Sequence, residues 1–206
     1  MTTYGILVFD GVQELDFVGP WEVFHGSSRR RGRVDSVVLI AERPDLIRCG
    51  NGMRVMPDHT LADHPPLDVL LVPGGAHSRI EAEMRNPAVT GWIKSTASSA
   101  EWVTSVCTGA FLMHAAGVSH GRRVATERAL EDELARLGDI TVVRDARYVV
   151  DGNLVSSQGV SAGIDMALWL VGRIHGRDHA RAVRSAIQYE PAPPYLADEP
   201  HHRVGL

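Results

Sequence analysis

Residues 101–117 read EWVTSVCTGAFLMHAAG. The run WVTSVC (102–107) is built of strand-forming residues and ends on a cysteine. A small-residue helical run, TGAFLMHAAG (108–117), follows without a linker and closes on Gly117 as a C-cap. Working outward, the same alternation holds. Upstream, YGILVFD (4–10) reads as a buried strand, GPWEVFHG (19–26) as a helix opened by its Gly-Pro pair, and VDSVVLIAE (34–42) as a second strand. RVMPDHTLAD (54–63) reads as a short strand and turn, LDVLLVPGG (67–75) as an apolar strand ending in two glycines, and residues 79–99 as one or two helices. Downstream, RALEDELARLG (128–138) is a helix stopped by Gly138, and Asp151-Gly152 turns a hairpin inside residues 140–157. Residues 161–176 and 177–190 form two more helices. Short, continuously apolar strands separated by helices imply a mostly parallel α/β sheet covered on both faces.

Length and composition fit that architecture. With 206 residues, 44% apolar and 22% charged, the chain holds one full core; residues 1–195 form a single domain and 196–206 a polar C-terminal tail after a Pro-rich ending. A net charge of −4 gives no electrostatic case for nucleic acid or an anionic membrane, and the arginine clusters at 29–33 and 122–123 read as solvated surface. No apolar run approaches the ~18 residues of a membrane span, and the N-terminus lacks the basic region of a signal peptide. Two cysteines, Cys49 and Cys107, build no disulfide framework, which points to a reducing, cytoplasmic setting. Lys94 is the only lysine, a poor basis for Schiff-base chemistry.

In an open parallel sheet, ligands bind beyond the carboxyl ends of the strands, where Cys107 lies. A helix N-terminus favours a thiolate; lowering the pKa from ~8.5 to ~6 raises the ionised fraction at neutral pH from a few per cent to roughly nine-tenths. Thr108, Gly109 and Ala110 are small enough for the sharp turn of a nucleophile elbow. A buried structural cysteine is the other reading, and position alone leaves both open.

VTSVCTGAFLMHAAG, with LLVPGG before it and SAGIDMAL after it, resembles the DJ-1/PfpI superfamily, whose fold is a flavodoxin-like sandwich. QELDFVGPWEVF, TSVCTG, LARLG, DGNLVSSQGVSAGID and QYEPAPP look most like the isonitrile (isocyanide) hydratases of that group. The resemblance runs from about residue 4 to about residue 195. It implies a catalytic Cys107 with Asp16 beside it, the two sharing one proton, and backbone donors at Gly75 and Thr108 for the developing negative charge. It also implies hydration of an isonitrile to an N-substituted formamide with no metal or other cofactor. A homodimer is implied too, with Trp21, Phe24 and Trp169 as candidate interface residues.

Relatives often carry histidine where this chain has Glu127, which argues against a protease or amidase. His77, read as a loop residue, and His114, inside a helix, are the remaining imidazoles to consider; each is more simply structural. Glu14 and Glu22 read as surface or helix residues, Asp165 as a helix-start residue and Cys49 as incidental. The alternatives are a glyoxalase-like enzyme acting on methylglyoxal, a cysteine redox sensor, or a ligand-binding module related to AraC-type regulators. The residues after Pro194 leave no room for the helix-turn-helix domain that such a regulator needs.

Overall fold

The computed structural model describes residues 1–191; most of the Pro-rich ending and the whole tail at 196–206 lie outside the described residues. The strands are β1 (Thr3–Leu7), β2 (Ser36–Ala41), β3 (Ile47–Arg48), β4 (Arg54–Val55), β5 (His59–Thr60), β6 (Val69–Val72), β7 (Trp102–Val106), β8 (Arg123–Val124), β9 (Thr141–Val142), β10 (Tyr148–Asp151) and β11 (Leu154–Ser157). The helices are α1 (Glu14–Arg30), α2 (His77–Met84), α3 (Pro87–Ser99), α4 (Gly109–Ala115), α5 (Glu131–Arg136), α6 (Ala162–His175) and α7 (Arg177–Ala186). Seven strands form one sheet in the order β10-β11-β7-β6-β1-β2-β5. Every neighbouring pair is parallel except β10 with β11, the hairpin turned at Gly152, whose φ of 57° suits a residue without a Cβ. The fold is a flavodoxin-like sandwich.

β1 and β6 are buried along their whole length, which explains why their sequences are continuous apolar runs and not alternating ones. Helices α1, α6 and α7 pack together as one layer, and α2, α3 and α4 as another. In the first layer, Gly19 and Gly26 lie seven residues apart on one stripe of α1. A Cβ on Gly19 would sit 2.8 Å from Ile164, and one on Gly26 would sit 3.4 Å from Val183. The missing side chains let α1 close on α6 and α7. Phe24 stacks on Tyr4 with ring centroids 4.2 Å apart and is fully buried, so this candidate interface residue belongs to the core. Trp21 and Trp169 are half-buried. Among the described residues, no helix is long and apolar enough to cross a membrane.

The first helix departs from the sequence reading. The Gly-Pro pair was expected to open it, yet α1 begins at Glu14 and carries Pro20 in its interior. Proline costs a helix an N–H bond, here the one owed to the carbonyl of Asp16, and packing of α1 against two other helices outweighs that loss. Residues 79–99 resolve into two helices, α2 and α3, the second capped by the side chain of Asn86 with Pro87 at its first position.

Candidate active site

The sheet order reverses beside β1: the chain runs outward to β2 and β5 on one side and to β6, β7 and β11 on the other. Ligand sites in open α/β sheets form outside the carboxyl ends of strands at such a reversal. Four adjacent strands, β1, β6, β7 and β11, deliver their following segments there: Asp16 on α1, Gly74-Gly75, Cys107-Thr108 and Gln158-Gly159-Val160.

Cys107 has φ of 56°, a left-handed conformation that a residue with a side chain adopts at a cost of about 1–3 kcal/mol. The surroundings hold it there. Its N–H is shared between the carbonyls of Ser157 and Gln158, each at 3.2 Å, and its carbonyl accepts the Thr126 hydroxyl at 2.9 Å. Gly109 allows the turn to follow at once, because a Cβ there would meet the Val72 carbonyl at 2.1 Å. This is the geometry of a nucleophile elbow. The cysteine is only 7% exposed.

Asp16 lies in the first turn of α1, fully buried, and not in a loop ahead of the helix. Its Oδ2 accepts the Gly74 N–H at 2.9 Å, while Oδ1 has no hydrogen-bond partner among the described residues. Burial pushes its pKa up to about 7; the Gly74 N–H and the Cys107 thiol pull it down, and the charges of Glu127 and Glu14 push it further up. Gly74 admits this packing: a Cβ there would lie 2.4 Å from Thr108 Oγ1, 2.6 Å from Thr108 N and 2.9 Å from Asp16 Oδ2.

The thiol departs from expectation. In place of the depressed pKa anticipated at a helix start, Cys107 is pushed up to about 12, first by burial and then by the Asp16 charge, with Glu127 adding to it. The N–H groups of Val160 and Thr108 oppose the rise. Helix α4, which follows the cysteine, has only seven residues.

Of the two expected backbone donors, Thr108 keeps its N–H beside the thiol. The N–H of Gly75 is already engaged, donating to Thr108 Oγ1 at 3.0 Å, and that hydroxyl donates back to the Gly75 carbonyl at 3.1 Å. The structure also brings in residues that the sequence reading did not assign to the site. Val160, with φ of 41°, is a β-branched residue in the left-handed region, and its N–H serves the sulfur. Glu127 Oε2 stands 3.6 Å from Cys107 Sγ, within reach of the thiol as a second carboxyl beside Asp16. No sequence pattern marks a left-handed valine. Glu127 was visible as a departure, although not as a contact.

The histidines stand elsewhere. His77 is the first residue of α2, not a loop residue, and its exposed ring faces Glu81 and Glu133 at 3.4 and 3.6 Å. His114 bonds the Gly138 carbonyl at 3.0 Å. Glu14 accepts from Asn51, Glu22 pairs with Arg29, and Asp165 in α6 accepts from Arg147 at 2.7 Å. Cys49 is buried, and its pKa is pushed up to about 11. An open cavity of about 320 Å³ lined by Glu127, Arg128, Gln158, Gly159, Val160 and Ser161 leads from the surface to the cysteine's neighbours. A larger one of about 840 Å³, between the end of β10 and helices α6 and α7, shares no residue with this site.

Comparison with known proteins gives the family and the fold. The chain is 38% identical to isonitrile hydratase of Pseudomonas putida over 198 residues, 95% of this chain and 82% of that protein. It is 26% identical to the Parkinson disease protein 7 homolog of Danio rerio, over 88% of this chain and 94% of that protein. The crystal structure of a ThiJ/PfpI family protein from Pseudomonas syringae superposes with a TM-score of 0.86 at 27% identity, covering 96% of this chain and 79% of that one. Residues 4–173 match the DJ-1/PfpI family, and the chain belongs to it.

Proposed function

We propose that this protein is an isonitrile hydratase, converting an isocyanide and water to an N-substituted formamide through a covalent adduct on Cys107. The observation that carries the reading is the buried Asp16: a carboxyl with its pKa raised to about 7 holds a proton near neutrality, next to a cysteine on a strained elbow. The named activity of the Pseudomonas putida relative supports it.

An isonitrile, R–N≡C, accepts a nucleophile at its terminal carbon, and that same carbon must then be protonated. No leaving group departs, so no imidazole shuttle is needed. Sulfur attacks the carbon, the Asp16 proton moves to it, and an S-linked thioimidate results. Water adds to the imidate carbon and returns a proton to Asp16. With the Cys107–Asp16 pair sharing one proton, the remaining hydroxyl proton passes to nitrogen, the C–S bond breaks as the carbonyl forms, and the formamide leaves with the sulfur anionic and Asp16 protonated as at the start. The N–H groups of Val160 and Thr108 stabilise the sulfur each time it is anionic.

The test mixes purified protein with an aromatic isocyanide and follows formamide formation. Cys107→Ser is expected to abolish turnover, and Asp16→Asn to lower kcat/KM by about 10²–10⁴-fold, the usual worth of a positioned acid. An inert wild-type protein, or a Cys107→Ser variant that still turns over, sinks the reading.

A further inference from the structure

We infer that Glu127 is a specificity-determining residue of this site: its carboxylate selects isonitriles whose R group carries a positive charge, an alkylammonium group in the simplest case. The inference rests on the hydratase reading for the reacting group, and on the geometry of the mouth for the choice of R.

The carbon of an isonitrile must reach Cys107, so R trails back along the way in. The open cavity there holds about 320 Å³, room for a small R group, and Glu127 lines it together with Gln158, Gly159 and Val160. Glu127 Oε2 stands 3.6 Å from Sγ, so an R group that leaves the sulfur through this cavity passes the carboxylate. The carboxylate is held in place. Gly159 leaves the space it fills, since a Cβ there would collide with Glu127 Oε2 and lie 3.0 Å from its Cδ. The segment entering Glu127 is tied down as well: Ala125 N–H donates to Ser156 Oγ at 2.8 Å, and Thr126 Oγ1 donates to the Cys107 carbonyl at 2.9 Å.

The count of charges sets the sign of the preference. The Cys107–Asp16 pair, sharing one proton, carries one negative charge, and Glu127 adds a second. The cations nearby are already engaged. Arg128, on the cavity wall, lies 3.3 Å from Asp145. Arg144 lies 3.5 Å from Glu131, the buried carboxylate that accepts from Gln158 Nε2 at 3.3 Å, and it also pairs with Asp132. Among the described residues Glu127 has no ion-pair partner of its own. A cleft with a surplus of one charge sign focuses the field and favours entry of the opposite sign, by about 10–10³-fold in rate.

The test has two arms. In the first, Cys107 is modified with two thiol reagents of similar size, methanethiosulfonate ethyltrimethylammonium and methanethiosulfonate ethylsulfonate, and followed by peptide mass. Both attack the same sulfur, so the ratio of their rates cancels its protonation state. The cation-to-anion ratio is expected to exceed that of the urea-unfolded chain by at least about tenfold, and to shrink as salt is raised from about 0.02 to about 0.5 M. Glu127→Gln, which keeps the shape over Gly159, is expected to lose most of this preference, and Glu127→Asp, which keeps the charge, to retain it. In the second arm, kcat/KM is compared for ethyl isocyanides bearing an ammonium, a neutral or a carboxylate group. Wild type is expected to favour the ammonium over the carboxylate by at least about tenfold, chiefly through KM, and E127Q to treat them nearly alike. A reagent ratio that is unchanged in E127Q, or isocyanide turnover that is indifferent to the charge on R, overturns the inference and leaves the hydratase reading standing. If no isocyanide is turned over but the reagent preference still depends on Glu127, the carboxylate stands as the charge selector of this mouth and the hydratase reading falls.

Discussion

Asp16 is an aspartate that the folded protein would rather keep neutral. Its pKa rises from 3.8 to about 7 on burial, so the carboxylate costs the native state free energy that the unfolded chain does not incur. The sign follows: stability from this residue is fully present below pH 3.8 and is lost as the pH climbs to about 7, above which the deficit is constant. The deficit amounts to about 4 kcal/mol at most. Asp16→Asn, which preserves an acceptor for the Gly74 N–H, is therefore expected to be more stable than wild type at pH 8 and level with it near pH 3.5. Urea titrations at both pH values check this, and equal stability at pH 8 refutes it. At this scale the sequence was legible where a residue's neighbours in the chain define it. Cys107 stands between a strand and a helix start. Asp16 came from resemblance alone. Val160 and Glu127 owe their places beside the sulfur to where β11 and the segment before α5 cross the elbow, a tertiary fact with no local pattern.

Among the connections between elements, the Gly74-Gly75 pair after β6 is the most constrained. The sequence reading saw a strand end; the structure shows that Gly74 has the backbone of the cysteine elbow against its α-carbon on one side and the acid on the other. Gly74→Ala places a methyl 2.6 Å from the Thr108 nitrogen, which cannot swing away as a side chain can. The expected cost is at least about 1–3 kcal/mol of stability, read as a lower urea midpoint at unchanged slope, with activity falling further because the elbow must move. Wild-type stability and turnover in that variant would refute the constraint. Helix α1 shows why boundaries were harder to read than existence. A Gly-Pro pair is a sound start signal, but it was overridden by packing of the whole helix against α6 and α7, which no window of sequence contains.

Across the molecule, the architecture was largely legible because strands buried on both faces write themselves as continuous apolar runs. The short pairs β3–β4 and β8–β9, two residues per strand, leave no such trace. Nor does the polar knot that ties the N-terminus to the last helices. Asp35, its carboxylate fully buried, accepts from the Thr2 N–H at 2.8 Å and from Arg31 Nε at 2.9 Å, and stands 3.7 Å from His175, which in turn meets Tyr4 Oη at 3.1 Å. Asp35→Ala strands these donors, and about 3–5 kcal/mol of stability is expected to go with them. A loss under about 1 kcal/mol in urea refutes that weight.

The assembly of one site from four strand ends has a temporal side. Its parts enter the chain at positions 16, 74, 107, 127 and 160, so most of the separations are long and closure entropy delays their meeting. During synthesis the cysteine emerges well before the segment that shields it, and until β11 docks it is an ordinary thiol in water. The finished protein hides its sulfur; the nascent one does not. Its exposure to oxidants is therefore greatest in the seconds before folding ends, and refolding can be timed by how quickly that sulfur is lost to a probe.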